Sequence, residues 1–231
     1  MFQAHPRLVT VKANLSDEAF LSQLERDPDW FLGDGADEVL KDDTATIALI
    51  HGNETRLVIK RYNARGLSHL LRNALRKTRA RRCWDNACAL ADAGIETARS
   101  MAVIERRWGP FAIGSYYVSE FVEGQRCQEY FRNIQNPDES EIIADNIGKM
   151  FRSLCDAHIK HGDMKAKNII IRNSQPVLID LDGLRRYTSR AMYRHVQYKD
   201  VARFLEEWVK YPSADALFRR VFAQADLLRP A

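Results

Sequence analysis

The sequence lacks several features that would each indicate a particular class of protein. Its four cysteines include no C-x-x-C pair, and none is adjacent to a plausible metal-binding histidine, so neither a zinc site nor a redox motif is indicated. The chain has no run of about 20 apolar residues, which a membrane-spanning helix would need. Its first 20 residues contain Asp17 and Glu18 in place of an apolar signal core. We therefore expect a cytoplasmic protein with reduced thiols.

Acidic residues are missing from one long stretch of the chain. From Arg56 to Arg82 there are ten Lys or Arg residues and no Asp or Glu, although the net charge of the whole chain is only +4. Such a block could contact an anionic membrane surface, where each basic side chain contributes about 1 kcal/mol. A solvated helix face is the simpler explanation. Nucleic acid would suit the same charges, but no nucleic-acid-binding motif accompanies them.

What the chain does contain is an ordinary globular composition. Hydrophobic residues make up 45% and charged residues 29% of its 231 positions, which argues against disorder. This length can bury a substantial core, either as one domain or as two small lobes. The periodicity predicts strands between Val39 and Tyr62, a helix over Leu67–Ala93, and a long amphipathic helix over Glu139–His158.

The most informative segment is the polar run from His161 to Asn168, which precedes two short strand-like stretches. The stretches Asn168–Arg172 and Val177–Asp180 are rich in Ile, Val and Leu, and the residues between them are turn formers. This pattern predicts a hairpin in which Arg172 pairs with Val177. Asn168 then lies almost opposite Asp180, with about 5 Å between their Cβ atoms. An amide oxygen and a carboxylate so placed could share Mg²⁺.

These residue types suit phosphoryl transfer. The transferred group is anionic, so a metal ion and a lysine must neutralise it while a carboxylate orients or deprotonates the acceptor hydroxyl. Asp163 is the candidate base and Lys165 the candidate phosphate contact, while Asn168 and Asp180 are the candidate metal ligands. Asp182 is a possible second ligand. The alternative is that His-Gly-Asp is a plain turn and Asn168 a cap.

The same segments carry a resemblance to a known family. The run from His161 to Asn168 resembles the protein-kinase catalytic loop H-R-D-L-x-x-x-N, with Gly162 at the arginine position, and Asp180-Leu181-Asp182 lies where D-F-G would be. The chain is similar to the bacterial lipopolysaccharide core kinases and their short relatives known as toluene-tolerance proteins. The resemblance covers about Val39 to Leu205.

The resemblance implies an α+β, bilobal protein-kinase-like fold, with a small β-rich N-lobe and a reduced, mainly helical C-lobe. The implied division is an N-terminal extension over residues 1–38, an N-lobe over 39–121 and a C-lobe over 122–231. Lys60 matches the strand lysine that contacts the ATP phosphates. Glu120 and Phe121 fall in the hinge that would bind adenine. Asp200 resembles the aspartate that braces the catalytic loop, although a helix N-cap explains it nearly as well.

Three departures from the kinase pattern qualify the nucleotide site. The turn Lys41–Thr46, where a glycine-rich loop is expected, contains no glycine. No glutamate lies between Lys60 and Glu96 to pair with Lys60, which leaves Asp85 or Asp92 as candidate partners. The D-F-G glycine position holds Asp182.

The function that this resemblance implies is a Mg-ATP-dependent kinase acting on a sugar hydroxyl of the lipopolysaccharide inner core. The short region after Asp180 and its arginines suit an anionic glycolipid better than a protein substrate; those arginines are Arg185, Arg186, Arg190 and Arg194. The inner face of the inner membrane is then the expected working place. The alternatives are a nucleotide-binding protein with weak or no catalysis, a small-molecule phosphotransferase of the aminoglycoside or choline type, and a nucleic-acid-binding module.

Overall fold

The computed structural model describes residues 7–42, 45–52, 55–63, 77–109 and 111–228. The chain divides into two compact units. The sheet unit comprises Met1–Asp85 and Arg99–Phe121, and the helical unit comprises Asn86–Ala98 and Val122–Ala231. Within the described ranges, no helix is both long enough and apolar enough to cross a membrane.

An antiparallel sheet of six strands forms the sheet unit, in the order β1-β5-β6-β4-β3-β2. The strands are β1 (Arg7–Ala13), β2 (Glu38–Asp42), β3 (Ala45–His51), β4 (Arg56–Asn63), β5 (Ser100–Trp108) and β6 (Phe111–Glu120). β-Branched and aromatic residues explain the strand character of β3, β4 and β6, and buried and half-buried residues alternate along most of β4. The predicted turn Lys41–Thr46 includes residues 43 and 44, which lie outside the described residues.

The N-terminal segment is an integral part of this unit. Strand β1 pairs with β5 along the edge of the sheet. Helix α1 (Glu18–Arg26) begins at Asp17, whose side chain caps the N–H of Phe20, and its apolar face packs against one side of the sheet. A 3₁₀ turn follows at Trp30–Leu32.

Helix α2 (Arg79–Asp92) contains the point at which the chain passes from one unit to the other. Thr78 caps its first turn by accepting a hydrogen bond from the N–H of Arg81. A predicted helix over Leu67–Ala93 is therefore observed only in its second half, because residues 64–76 lie outside the described residues.

The helical unit is built around one large core. Its helices are α3 (Cys127–Arg132), α4 (Pro137–Asp156), α5 (Arg190–Arg194), α6 (Gln197–Glu206) and α7 (Pro212–Gln224). Asn136 caps α4 and Pro137 occupies its first turn, which fixes the start of the long helix predicted over Glu139–His158. Aromatic side chains pack against one another in this core, some pairs edge to face and others tilted: Phe131, Phe151, Phe204, Trp208, Phe218 and Phe222.

Short hairpins of the helical unit carry the polar motif. Strands β9 (Ile169–Arg172) and β10 (Gln175–Leu178) pair with each other, and β7 (Gln125–Arg126) pairs with the other edge of β9. Strand β8 (Ile159–Lys160) pairs with β11 (Arg185–Arg186). The catalytic-loop motif therefore begins at one small sheet and ends at another.

The predicted register of the β9–β10 hairpin is wrong by two residues. Arg172 pairs with Gln175 rather than with Val177. The turn is tighter because Asn173 and Ser174 both adopt positive φ, at 51° and 59°, as a two-residue hairpin turn of type I′ requires. As a result Pro176 belongs to the strand, on the edge where its missing N–H is tolerated.

Candidate active site

The loop from His161 to Asn168 connects β8 to β9 and ends in a 3₁₀ turn over Ala166–Asn168. Within it, the Lys165 ammonium lies 2.9 Å from each carboxylate oxygen of Asp163. The Asp163 side chain is 41% exposed, so an acceptor from solvent can reach it. The predicted base and the predicted phosphate contact are therefore neighbours that already form an ion pair.

A second cation, the Arg203 guanidinium, contacts the same carboxylate. Its Nη2 atom lies 3.4 Å from Oδ1 of Asp163. Burial alone would raise the pKa of Asp163, but the hydrogen bond from Lys165 and the charges of Lys165 and Arg203 outweigh it and hold the pKa below its usual value. Asp163 is thus a carboxylate at neutral pH, ready to accept a hydrogen bond.

One face of helix α6 follows the catalytic loop. Asp200 accepts hydrogen bonds from the backbone N–H of His161 at 2.6 Å and of Gly162 at 3.0 Å, so its predicted bracing role is confirmed. Arg203 lies one turn further along and contacts Asp163. Glu207, one turn beyond that, accepts a hydrogen bond from the backbone N–H of Ala166.

Arg203 and Glu207 are residues that the motif did not reveal. They occupy the third and seventh positions after Asp200, the spacing that places side chains on one helix face. Gln128 of helix α3 also donates to Glu207, at 3.2 Å. Burial raises the pKa of Glu207, and the bonds from Ala166 and Gln128 with the nearby cations offset this only in part. A search for polar residues in helical register with Asp200 would have found both.

His161 is fully buried beneath the loop. Its Nε2 atom lies 3.2 Å from the backbone oxygen of Ile179, which can only accept, so Nε2 carries the proton. The Nδ1 atom is buried and has no hydrogen-bond partner among the residues that the structure describes. This histidine ties the start of the loop to the end of the β10 segment and is too buried to serve as the acceptor's base.

Gly162 allows the loop to approach the segment after Asp180. Its φ is +89°, and a Cβ atom at this position would lie 2.7 Å from the backbone oxygen of Gly183. Positive φ and close backbone contact both favour glycine. The residue at the arginine position of the kinase motif therefore has a packing role in this chain.

The predicted metal ligands come together at the end of the β9–β10 hairpin. The corrected register places Asn168 opposite Ile179, with the N–H of Ile179 donating to the backbone oxygen of Asn168 at 2.9 Å. Asp180 is the next residue, and it adopts left-handed backbone angles of φ 60° and ψ 67°. Such angles are uncommon for a residue other than glycine and occur often at functional sites.

This corner offers an amide oxygen and carboxylate oxygens, which are the kinds of ligand that Mg²⁺ prefers. The Asn168 amide donates through Nδ2 to the backbone oxygen of Asp163 at 2.9 Å, which directs its oxygen the other way. Asp180 is exposed and Asp182 is half-buried two residues later. Among the described residues no three His, Cys, Asp or Glu side chains cluster as a metal cage. Mg²⁺ commonly uses one or two protein oxygens together with substrate phosphates, so a smaller set suffices.

Asn86 of helix α2 is a further residue that the sequence did not single out. Its side-chain amide donates to the backbone oxygen of Leu181 at 2.9 Å and to that of Leu184 at 3.3 Å. On the opposite side, Thr97 donates to the backbone oxygen of Leu178 at 2.7 Å. The segment that contains Asp180 and Asp182 is therefore held at both ends within the helical unit.

The predicted nucleotide contacts lie in the sheet unit. Lys60 is half-buried on β4 between Ile47 and Tyr117 of the neighbouring strands, and its ammonium lies 5.3 Å from the ring centre of Tyr62. Asp85, a candidate partner of Lys60, contacts Lys12 and Lys77. The second candidate, Asp92, is exposed in the last turn of α2.

The predicted hinge residues, Glu120 and Phe121, are the last two residues of the sheet unit. The N–H of Glu120 donates to the backbone oxygen of Arg99, and that of Phe121 donates to the backbone oxygen of Arg56, both at 2.9 Å. The Arg56 guanidinium also stacks 4.2 Å from the centre of the Phe121 ring. Both N–H groups are therefore used by the sheet, and a purine at these positions would have to use backbone oxygens.

The basic block is less available than its composition suggests. Three of its arginines, Arg56, Arg61 and Arg79, contact Phe121, Asp29 and Tyr62 within the sheet unit. Residues 64–76 of the block lie outside the described residues. By contrast the four arginines after Asp180 are exposed: Arg185, Arg186, Arg190 and Arg194.

A comparison with solved structures identifies the fold. The chain is similar to WaaP, solved in complex with acyl carrier protein, with a TM-score of 0.62 and 16% sequence identity over 97% of this chain and 90% of that one. An antiparallel sheet unit joined to a helical unit in this way is the protein-kinase-like fold. The predicted α+β, bilobal, protein-kinase-like fold class is confirmed.

Comparison with family profiles identifies the branch. The profile of the Lipopolysaccharide kinase (Kdo/WaaP) family matches residues 38–227. The chain therefore belongs to the lipopolysaccharide kinase (Kdo/WaaP) family, and the predicted resemblance is confirmed. Membership makes the protein a phosphotransferase, as predicted. No curated protein sequence matches the chain.

Proposed function

We propose that the protein transfers the γ-phosphoryl group of Mg-ATP to a sugar hydroxyl of the lipopolysaccharide inner core. The observation that supports this most is the arrangement around Asp163. An exposed carboxylate is kept ionised by Lys165 and Arg203, on a loop whose backbone is fixed by Asp200. Such a group is preorganised to receive a hydroxyl donor.

Lys165 and Arg203 hold the pKa of Asp163 below its usual value, and this favours an orienting role for the carboxylate. A carboxylate that holds its proton weakly is a poor general base, so it orients the acceptor hydroxyl before it takes the proton. The acceptor oxygen forms a bond to the γ-phosphorus as the bond from phosphorus to the β,γ-bridging oxygen breaks, and the hydroxyl proton passes to Asp163. Phosphoryl transfer tolerates late deprotonation because its transition state is loose.

Lys165, and the Mg²⁺ that the hairpin would hold, would supply the positive charge. Lys165 has three N–H donors, so it can keep its contact with Asp163 while donating to the transferred phosphoryl group. Asn168 and Asp180 would hold Mg²⁺, with Asp182 as a second carboxylate. The ion would neutralise the phosphate oxygens and the leaving diphosphate. Lys60 would contact the α- and β-phosphates, and the backbone of Glu120 and Phe121 would meet adenine.

The acceptor would be an anionic glycolipid. Four exposed arginines follow the hairpin that carries Asp180, and the inner core bears phosphate and carboxylate groups that suit guanidinium ions. The reaction would take place at the cytoplasmic face of the inner membrane, where the protein would make peripheral contact with acidic lipid.

A transfer assay tests this function. The purified protein is incubated with γ-labelled ATP, Mg²⁺ and lipopolysaccharide core from a kinase-deficient strain. We expect label in the core and a loss of 10²-fold to 10⁴-fold in rate for Asp163→Ala, about the usual contribution of a positioned acid-base group. The matched control is Asp156→Ala, which removes an exposed aspartate from the same unit. Chelation of Mg²⁺ should stop transfer by the unmodified protein.

The outcomes separate the alternatives. Nucleotide binding without transfer to any acceptor would favour a kinase-like protein with little or no catalysis. Transfer to soluble amino sugars or choline, but not to core, would favour a small-molecule phosphotransferase. Identification of the sugar carbon that carries phosphate would define the substrate.

A further inference from the structure

Arg203 stands apart from the other arginines of the helical unit because it contacts the candidate base. Its Nη2 atom lies 3.4 Å from Oδ1 of Asp163, while Lys165 already lies 2.9 Å from both oxygens of that carboxylate. Asp163 is therefore well paired by Lys165, and the longer contact with Arg203 is the weaker of the two. The position of Arg203 needs an explanation beyond holding Asp163.

The exposure of Arg203 indicates what that explanation is. Its side chain is 47% exposed, against 27% for Lys165. A guanidinium presents five N–H donors in a rigid fork, of which the contact with Asp163 uses only one group. Donors therefore remain at the solvent-facing side, next to the point at which an acceptor hydroxyl would meet Asp163.

The charges at this point also favour an additional anion. Two cations, Lys165 and Arg203, contact the single carboxylate of Asp163. Asp200 and Glu207 are further acidic groups on the same helix face, but Asp200 accepts hydrogen bonds from two backbone N–H groups of the loop, and Glu207 accepts from the Ala166 N–H and from Gln128. Because Lys165 keeps its contact with Asp163 while it donates to the transferred phosphoryl group, the charge of Arg203 is left for a different anion.

We propose that Arg203 forms an anion subsite beside Asp163, which binds a carboxylate or phosphate that the acceptor carries close to the hydroxyl being phosphorylated. This inference rests on the proposed function and narrows its substrate class to acidic or already phosphorylated sugars. The anion lies on the same sugar as the accepting hydroxyl or on the adjoining one, because the two protein groups are in contact. Fork-like donors bind either anion through paired hydrogen bonds.

Kinetics with matched acceptors tests the subsite. The variants are Arg203→Gln, Arg203→Lys and, as a control, Arg219→Gln, which removes a 52% exposed arginine from helix α7. The acceptors are a core oligosaccharide, its carboxyl-reduced form and its dephosphorylated form. We expect Arg203→Gln to raise KM for the intact acceptor about 10-fold to 100-fold, the range for loss of a charged hydrogen bond.

The pattern across acceptors distinguishes the source of the anion. Removal of the relevant group from the acceptor should raise the KM of the unmodified protein by the same factor. The KM of Arg203→Gln should not change when that group is removed. Sensitivity to carboxyl reduction assigns a carboxylate, and sensitivity to dephosphorylation assigns a phosphate. Arg203→Lys should lie between because lysine keeps the charge and loses the fork. Arg219→Gln should behave as the unmodified protein.

Two results would overturn the subsite. One is an equal loss by Arg203→Gln on all three acceptors, which would make Arg203 a positioning residue for Asp163. The other is an unmodified protein that treats the three acceptors alike.

If no core acceptor is phosphorylated, the proposed function fails, and equilibrium binding then tests the subsite by itself. With the nucleotide site filled by a non-hydrolysable ATP analogue, ligand-detected NMR should show 3-deoxy-D-manno-octulosonate or inorganic phosphate binding to the unmodified protein and to Arg219→Gln. Loss of that binding in Arg203→Gln supports the subsite, and equal binding by all variants overturns it.

Discussion

Each unit contains an aspartate that fixes a connecting segment, and the two aspartates differ in what they bind. Asp200 in the helical unit is buried and accepts two backbone N–H groups of the catalytic loop. Asp29 in the sheet unit is partly exposed and binds two arginine side chains, from β4 and β5, and the Tyr116 hydroxyl, from β6.

The difference shows that backbone partners fix the position of a segment more firmly than charged side chains do. Backbone donors cannot move without moving the loop, so the Asp200 contacts fix geometry directly. Arginine side chains are flexible and their attraction is screened by salt, so the Asp29 contacts hold the segment between α1 and the sheet less rigidly. The candidate catalytic group Asp163 depends on the rigid arrangement, since its loop begins at the residues that Asp200 binds.

Removal of Asp200 should have the largest effect. Asp200→Ala leaves the N–H groups of His161 and Gly162 without their buried acceptor, and each unsatisfied donor costs about 1–3 kcal/mol. We expect urea-induced unfolding to show a loss of about 2–4 kcal/mol, and phosphoryl transfer to fall with it because Asp163 is no longer held in place. The unfolding midpoint and the transfer rate are the two measurements.

Matched variants separate this effect from the loss of a carboxylate. Asp145→Ala removes an exposed aspartate of helix α4 and should leave both measurements unchanged. Asp200→Asn keeps the shape but offers one acceptor oxygen for two donors, so it should remain well below the unmodified protein. Full activity of Asp200→Asn would contradict a geometric role.

Removal of the Asp29 charge should have a smaller effect that depends on pH. Burial raises the pKa of Asp29, but hydrogen bonds from Arg106, Arg61 and Tyr116 hold it below the ordinary value of 3.8. A carboxylate whose pKa is lowered by folding stabilises the protein above its ordinary pKa, and this stabilisation disappears as pH falls through the folded value. We expect Asp29→Asn to cost about 1–2 kcal/mol at pH 7.

The difference between Asp29→Asn and the unmodified protein should shrink below pH 4 and in high salt. Unfolding curves at a series of pH values and salt concentrations measure it. Asp34→Asn, at an exposed carboxylate a few residues later, should show neither trend. A cost that is constant down to pH 2 would mean that shape, and not charge, is what Asp29 contributes.

The sequence allowed the chemistry of the helical unit to be predicted better than its geometry. The spacing of Asp163, Lys165, Asn168 and Asp180 selected residues that the structure places on one loop and one hairpin, although their roles stay predictions. The register failed because Asn173 and Ser174 were read as part of a longer turn. Arg203 and Glu207 were missed because their role depends on which face of α6 meets the loop, a tertiary fact.

In the sheet unit the sequence predicted individual strands but not how they pair. The strand order depends on long-range pairing, so the motifs around Lys60 predicted individual strands but not the docking of β1 against β5. The N-terminal region, expected to be an extension, carries Asp29 and part of the unit's core. Nothing local in residues 7–38 indicates those contacts, because the partners lie on strands far along the chain.

The smallest expected effect concerns the backbone conformation of one turn residue. Ser174 has a φ of 59° in the two-residue turn that brings Asn168 opposite Ile179. A residue other than glycine in this left-handed region costs about 1–2 kcal/mol of folding free energy. Replacement by glycine removes this cost, but the greater freedom of glycine in the unfolded chain offsets part of the gain. Ser174→Gly should therefore raise the free energy of unfolding by about 0.5 kcal/mol, and Ser174→Val should lower it by about 1 kcal/mol. Urea unfolding at two pH values measures both. If Ser174→Gly destabilises the protein, the tight turn is wrong, and the longer turn that pairs Arg172 with Val177 becomes the better description.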